Sequence, residues 1–500
     1  MRQGKDAITA MAKGNRDKLF VGVDVGGTKV QAALVAADGR VLERERISTP
    51  REKNPALVVE AILDTVRDVI SAGGVKTSSV AGVGMAIPGV VDPPAGRIVT
   101  TANMNLGGME IVPLAAKKLG LPVFLGNDVN LGTLGEKWLG TAMDAQSVVG
   151  IFMGTGIGGG VIIDGRLVTG ARQIAGEVGH MIMQIGGPKC GCGARGCFEA
   201  IAGRGTIDRD IRAAIKGGRK SIIEGWADLG KPNEPIRSGM LKKALAKGDP
   251  VVMEVVTRAA EVIGWACISI RHLLDPEVIL LGGGVIEACG GFILPIVERI
   301  VQADPLTGAC PGGRVLESSL GDDAVVLGAV ALAQQQLGLD PFAKARRVSY
   351  PKLAWADGRL SVSGRSYQGG CLIRADGTMI AGDQFDDRLA SDIDKARLGD
   401  KSIRQLCLAR PHVVFVAQTA REPIKLSNRA QQTLHYRDVR LEILPAADAV
   451  KAFTDFDGQK QKQKRKAFLF AAPQPDDPKK GKDEDNGKDK DNAKKDDDDD

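Results

Sequence analysis

Glu177-Val-Gly-His180 is followed by Cys190-Gly-Cys192 and Cys197, with Glu199 two places further on. One imidazole and three thiolates make a tetrahedral zinc set, and a site whose four positions are all filled by protein is structural rather than catalytic. The glycines between the cysteines let a short loop fold back so that every sulfur reaches one ion. Such a hook would hold Glu177, His180 and Glu199 together, as a polyol site requires. Two other readings stand beside it. Reduced thiols in a glycine-rich loop leave the histidine and the repeated glycines unexplained. A disulfide suits a secreted chain, and residues 1–18, polar and without an apolar core, do not read as a secretory signal.

Two glycine turns carry a second chemistry. Asp24-Val-Gly26-Gly27-Thr28-Lys29 closes the apolar run from Phe20, and Gly154-Thr155-Gly156-Ile157-Gly158-Gly159-Gly160 closes the run to Met153. Glycines bring backbone N–H groups close to phosphate oxygens, and Thr28 and Lys29 add donors. Asp24 can position Mg²⁺ through water, since that ion favours one or two carboxylates together with phosphates. Either turn alone would mark any hairpin; a matched pair, each between two strands, says more. Asn127-Asp128 follows the run Val123–Leu125. A carboxylate at a strand end can take the proton from a hydroxyl attacking a phosphoryl group. Asn-Asp there equally reads as a helix N-cap. Taken singly, Glu177 and Glu199 are solvated charges, and His272, His412 and His435 are assigned no role.

The elements that must hold these groups follow from periodicity. Phe20–Asp24, Val30–Val35 and Val41–Ile47 read as three strands joined by turns, the second turn at Asp38-Gly39. Ala56–Ala72 has helical spacing at Val58, Ile62, Val66 and Ile70. Val80–Ile87 is a buried strand, Val112–Leu119 a helix and Val123–Leu125 a strand. A second cycle has strands Ser147–Met153, Val161–Ile163 and Arg166–Thr169, helices Thr206–Ile215, Ile236–Lys247 and Val251–Leu274, strand Val278–Leu281 and helix Val325–Leu337. The recurrence of hairpin plus glycine turn implies two similar α/β lobes with a cleft between them, the boundary falling near 125–145. Residues 339–348 read as a linker. Residues 349–472 read as a separate small α/β domain, with strands near Arg359–Val362, Gly370–Arg374, His412–Ala417, Arg440–Ile443 and Ala467–Phe470 and a helix over Ala446–Phe456.

Composition narrows the classes. A chain of 500 residues is expected to hold two or three domains. Aromatics are 4%, so the cores should be aliphatic. No apolar run of about 18 residues predicts a membrane helix. Of 8 Cys only three cluster, which fits a reducing cytoplasm. Residues 1–18 are polar and read as a frayed extension. The segment 473–500, with 7 Lys against 12 Asp plus Glu, has almost nothing apolar to bury and reads as disordered. That tail carries a net −5, leaving +11 on the rest of a chain whose total is +6. No basic cluster interleaved with aromatics points to nucleic acid.

Together the motifs resemble the ROK family (repressor, open reading frame, kinase) of sugar kinases, in the actin–hexokinase superfamily with its two ribonuclease H-like lobes. DVGGTK at Asp24, IPGVVD at Ile87, GNDVN at Gly126, MGTGIGGG at Met153, GEVGH at Gly176, CGCGARGCFE at Cys190 and LLGGGV at Leu280 fall in the family's order across 19–338. The resemblance implies ATP-dependent phosphorylation of a hexose, with Asp128 as general base. It implies Asn127, Asp128, Glu177, His180 and Glu199 around the sugar hydroxyls, with Asn103 or Asn105 beside them. Gly282, Gly283 and Gly284 would line the adenosine, and a homodimer is expected. The Glu177-x-x-His180 element resembles glucose and N-acetylhexosamine kinases, and glucose is the first choice of acceptor. Fructose or mannose kinases, a polyphosphate-using glucokinase and a non-catalytic sugar-sensing regulator are the alternatives. About 19 residues before Phe20 are too few for the helix-turn-helix of the family's repressors, which favours the kinase. The stretch from 349 resembles a small α/β domain of complex I assembly factors and adipogenesis-associated proteins. Gln418-Thr419-Ala420 stands there in place of that domain's glycine turn, and no catalytic residue is assigned.

Overall fold

The structure, a computed structural model, describes residues 18–50, 54–101, 104–226, 235–306, 313–342, 350–356, 359–363, 365–366, 370–375, 379–381, 385–407, 411–418, 422–456 and 465–471. The expectations for 473–500, for all but the end of 1–18 and for most of the linker lie outside the described residues. The chain divides into two compact units, Met1–Arg346 and Arg347–Asp500.

The first unit opens with β1 (Leu19–Val25), β2 (Lys29–Ala36), β3 (Val41–Ser48), α1 (Pro55–Ala72), β4 (Val80–Ile87), the hairpin β5 (Val90–Asp92) and β6 (Arg97–Thr100), α2 (Ile111–Leu119), β7 (Val123–Asn127) and α3 (Asp128–Leu139). It continues through β8 (Val148–Met153), β9 (Ile157–Ile163), β10 (Arg166–Leu167), α4 (Phe198–Ala202), α5 (Arg204–Lys216), α6 (Ser238–Ala246), α7 (Pro250–Leu274), β11 (Val278–Gly282), α8 (Gly284–Gln302), β12 (Arg314–Glu317) and α9 (Asp323–Gln336). Two five-stranded sheets result, ordered β3-β2-β1-β4-β7 and β10-β9-β8-β11-β12. In each, an antiparallel meander is extended by two parallel strands. The duplication expected from the paired glycine turns is thus a duplication of topology.

Local sequence explains the elements. β1, LFVGVDV, is buried at every position except Asp24, which is half-buried at its end. α1 starts at Pro55, with the Asn54 side chain accepting the Ala56 N–H, and buries Val58, Ile62, Val66 and Ile70 as its spacing requires. α3 and α9 sit between the sheets and cross over. α9 lies on β4 so closely that a Cβ on Gly84 would stand 1.9 Å from the Ala329 carbonyl oxygen. α3 lies on β9, and a Cβ on Gly328 of α9 would stand 1.7 Å from the Leu131 oxygen of α3. One apolar cluster therefore runs from Phe20 and Val35 through Leu131, Leu134, Trp138 and Val326 to Ile162 and Leu280. A second, built on Val21, Val23, Ile62, Val66 and Met85, covers the outer face of the first sheet.

Three helices of this frame, α3, the short α4 and α8, escaped the sequence reading. α3, DVNLGTLGEKWL, is buried on several sides, so it shows little amphipathic period, and its two glycines read as breaks. α8 carries a Gly-Gly pair and an internal Pro295, which hide a helix whose apolar positions are well buried.

Glu136 fastens the crossing. Its fully buried carboxylate accepts from the N–H groups of Thr141 (2.8 Å), Ser319 (2.8 Å) and Leu320 (2.7 Å), tying α3 to the segment before α9. Alanine there would leave three buried donors without acceptors, at about 1–3 kcal/mol for each group left unmade. Glu136→Ala should lose on the order of 3 kcal/mol or more of stability, read as a lower urea midpoint with unchanged slope. A midpoint within error of wild type would show that the carboxylate is dispensable.

The second unit holds a five-stranded sheet ordered Met379–Ala381, Gly370–Ile373, Lys466–Ala471, Val413–Gln418 and Arg440–Pro445, mixed in direction. Helices Asp387–Asp394, Asp400–Leu406, Asn428–Tyr436 and Ala446–Asp455 accompany it. The first three were not anticipated. Its core has an aromatic side the 4% average conceals: Phe415, Phe453, Phe468 and Phe470 pack together with Tyr350. Gln418 ends its strand and donates to the Glu422 oxygen at 3.2 Å; Thr419 and Ala420 lie outside the described residues.

Candidate active site

The register of the first sheet sets two acids at one edge. Asp24 of β1 pairs with Ala86 of β4, and Ala86 pairs with Gly126 of β7. Neighbouring strands lie about 4.8 Å apart, so the chain leaves the sheet at Asp24 and at Asn127-Asp128 roughly 10 Å apart. Asn127 is the N-cap of α3, accepting from the N–H groups of Val129 and Asn130 at 3.0 Å each, while its Nδ2 donates to the Gly89 oxygen at 3.0 Å. The cap is Asn127, which leaves Asp128 as the first helical residue, with Oδ1 taking the Val129 N–H at 2.9 Å. The two sequence readings of this pair are therefore complementary.

Burial pushes the Asp128 carboxyl up to about 6, opposed by the Val129 N–H and assisted by the charge of Glu177. Asp24 is also pushed up to about 6, by burial first and then by the charge of Asp128, with Lys29 pulling the other way. Half-buried carboxyls that feel one another in this way are suited to proton or cation chemistry near neutrality.

The glycine turns are braced. Gly26 N–H donates to the Lys29 oxygen at 2.8 Å, and Thr49 Oγ1 donates to the Gly26 oxygen at 2.6 Å. Lys29 Nζ reaches Asp322 Oδ1 at 2.9 Å, just ahead of α9. In the second turn Gly154 N–H donates to the Gly156 oxygen at 3.0 Å, and the space above Gly154 is open. Gly283, at φ +84°, presses on it: a Cβ there would stand 2.7 Å from the Met153 oxygen. Gly282–Gly284 and the Gly154 turn thus form one corner. Arg204 Nη2 donates to Thr155 Oγ1 at 3.4 Å.

His180, Cys190, Cys192 and Cys197 come together, with one ligand atom from each all within 4.8 Å of one another. Cys192 Sγ and Cys197 Sγ are 3.7 Å apart, and Cys190 Sγ is 3.7 Å from His180 Nδ1. A tetrahedron with Zn–S bonds of about 2.3 Å has edges of roughly 3.8 Å, so these two pairs have the spacing that one zinc ion needs. The other nitrogen of His180, Nε2, stands 3.9 Å from Glu177 Oε2. Glu199 Oε2 accepts the Ile157 N–H at 2.8 Å, and a Cβ on Gly156 would lie 1.9 Å from that oxygen. Through this oxygen Glu199 grips the second glycine turn and couples the hook to it.

Asp24, Asp128 and Glu177 are brought into electrostatic reach, and Glu177, His180 and Glu199 share the hook. Asn103 lies outside the described residues, and Asn105 is exposed. Three neighbours escaped the sequence reading: Asp322 beside Lys29, Arg204 beside Thr155, and Asn130 behind the Glu177 turn. Asp322-Asp323 at the start of α9 mirrors Asn127-Asp128 at the start of α3, a signal the internal duplication offered.

A family model described as the ROK family matches residues 20–336. The glucokinase of Thermotoga maritima is 33% identical over 323 residues, covering 64% of this chain and 98% of that protein. Among solved structures, a ROK family glucokinase from Streptomyces griseus in complex with glucose and AMPPNP superposes with a TM-score of 0.55 at 30% identity, covering 63% of this chain and 99% of that one. A ROK family transcriptional regulator, a homologue of the E. coli MLC protein, superposes with a TM-score of 0.58 at 27% identity over 65% of this chain and 79% of that one.

Proposed function

Because the chain belongs to the ROK family, we propose that it transfers the γ-phosphoryl group of ATP to a hexose, with glucose as the preferred acceptor and glucose 6-phosphate as product. The observation that carries this reading is the placement of Asp128, a half-buried carboxylate opening α3 at the sheet edge where Asp24 also leaves the sheet, its carboxyl lifted to about 6 by burial. A repressor that only senses sugar has no need of a proton acceptor there.

Asp128 is the general base. It orients the attacking hydroxyl and takes its proton as the new P–O bond forms and the bond from the γ-phosphorus to the bridging β,γ-oxygen breaks. Asn127, Glu177, His180 and Glu199 hold the other hydroxyls, with Glu199 also bonded to the Ile157 N–H. The turns Gly26–Lys29 and Gly154–Gly158 offer N–H groups to the phosphates, and Gly282–Gly284 faces the adenosine. Asp24 is the residue to hold Mg²⁺, which supplies charge neutralisation on the phosphates. Zinc, held by His180, Cys190, Cys192 and Cys197, keeps the hook folded. Closure of the two lobes on both substrates would exclude water that otherwise hydrolyses ATP. The active form is proposed to be a homodimer. The second unit is proposed to share the small α/β class named above, with no part in the chemistry.

The test is a coupled assay on the full chain with glucose, mannose, fructose and N-acetylhexosamines, each with ATP and with polyphosphate. ADP release that depends on glucose is the expected result. Release with an N-acetylhexosamine alone would move the acceptor, and phosphorylation from polyphosphate alone would move the donor. Tight sugar binding without turnover would make the chain a sensor.

A further inference from the structure

Asn130 is the third residue of α3 and is 7% exposed. Its Oδ1 is enclosed and accepts no hydrogen bond among the described residues. A buried carbonyl without a donor is uncommon and invites a reason. What the oxygen faces is specific. A Cβ on Gly176 would lie 3.4 Å from Asn130 Oδ1 and 3.1 Å from the Gly159 oxygen. Gly176 has φ +90° and opens the turn that carries Glu177 and His180.

That turn is laid flat on β9. A Cβ on Gly159 would lie 2.4 Å from the Gly176 oxygen, and one on Gly179 would lie 1.9 Å from the Ile157 oxygen. Its internal bonds run from Val178 N–H to the Gly176 oxygen (2.7 Å) and from His180 N–H to the Glu177 oxygen (3.0 Å). The Gly176 and Glu177 N–H groups make no hydrogen bond among the described residues. An unfilled buried acceptor thus faces Gly176, in the turn whose two unfilled donors belong to the backbone that sets the position of Glu177. At 43% side-chain exposure, that carboxylate has room to move inward.

We propose that Asn130 is a positioning residue for the acceptor site: its buried amide oxygen receives a free backbone N–H of the Gly176–Glu177 turn when a hexose draws Glu177 inward, and so fixes where that carboxylate stands. The inference rests on the hexose-kinase reading and adds to it a residue that touches neither substrate. Nothing in the helix requires the amide. Asn127 already caps α3, and at the third helical position any small side chain would serve. The arrangement stores an unmade bond in the empty state that hexose binding completes, which makes the residue specific to hexose affinity rather than to nucleotide affinity or to the chemical step.

The experiment is a double-mutant cycle of Asn130→Ala and Glu177→Gln in the full-length chain, with KM for hexose, KM for MgATP and kcat measured for all four proteins. Asn130→Ala should raise KM for hexose about tenfold, the size of one lost buried hydrogen bond, with KM for MgATP and kcat within about threefold of wild type. In the Glu177→Gln background the same change should add less than about twofold, because the carboxylate that Asn130 positions is gone. Additive effects, or an unchanged KM for hexose in Asn130→Ala, overturn the inference. If the alanine variant does not fold, Asn130→Ser, whose shorter side chain also cannot reach the turn, is read by the same criteria. A wild-type chain that phosphorylates no sugar would defeat the hexose-kinase reading itself. Wild-type turnover with additive variants defeats only the role given to Asn130.

Discussion

Asp128→Asn should lower kcat by at least about a thousandfold, while the dissociation constant for glucose stays within several-fold of wild type. Asparagine keeps the shape and the bond from the Val129 N–H but cannot take a proton. A residue that only capped the helix would give the opposite pattern, a loss of stability with turnover retained. The wild-type pH profile supplies a second sign. A base must be ionised, so activity should fall as pH drops below about 6, where both Asp128 and Asp24 take up protons. Because the two acids interact, the limb belongs to the pair and should steepen toward a two-proton slope.

Stability should move against activity. A carboxyl raised from 3.8 to about 6 binds its proton more tightly folded than unfolded. Folding therefore loses stability as pH rises from about 4 to 6, and the loss persists above that range. Removing the charge should return part of it, so Asp128→Asn should melt higher than wild type at pH 7.5, by on the order of 1 kcal/mol after allowance for solvent in the site, with the gap closing at pH 4. Retained turnover in this variant would remove the base from the mechanism. Lost turnover with a lower melting temperature at pH 7.5 would make it a fold defect.

Much of this is legible in the sequence. Strand and turn at Asp24 and at Gly154 differ in composition from everything around them, and glycine is needed where helix or ligand approaches backbone. The hook was legible because four metal donors lie within 18 residues. Less visible were groups whose role depends on a partner distant in sequence. Asp322 pairs with Lys29 across 293 residues, and Glu136 bonds to Ser319 across 183. Buried on all sides, α3 lost the amphipathic period that would have revealed it. Asn130 lies within GNDVN, yet only the third dimension sets it against Gly176. Sequence likewise carries no sign of the Ile157 N–H that the Glu199 carboxylate takes.

The other large effect concerns the metal. The hook from Met181 to Cys197 has little of its own to hold it: the buried apolar cluster there is only Cys190, Cys197 and Ala200, while Ile182 and Ile185 are 52% and 97% exposed. Ordering a loop of this length costs about 1–2 kcal/mol per residue in backbone entropy, and the apolar burial present cannot offset that. Structural zinc contributes roughly 10–16 kcal/mol of binding free energy in small fingers, and where no site exists without the ion that energy is folding energy. We expect one zinc per chain by metal analysis. Cys197→Ser, which removes a buried ligand, or exhaustive chelation should release it. The hook should then open while the sheets remain, so trypsin should cut after Lys189 and Arg195 with the rest of the first unit still resistant. KM for hexose should rise about a hundredfold, because Glu177 and His180 lose their anchor, at about 1.4 kcal/mol for each tenfold. KM for MgATP should rise less, since Glu199, which bonds to Ile157 of the phosphate turn, lies in α4 beyond the opened loop. Fully active protein without zinc, or a metal-free hook as resistant to trypsin as before, would mean that the four donors meet for another reason.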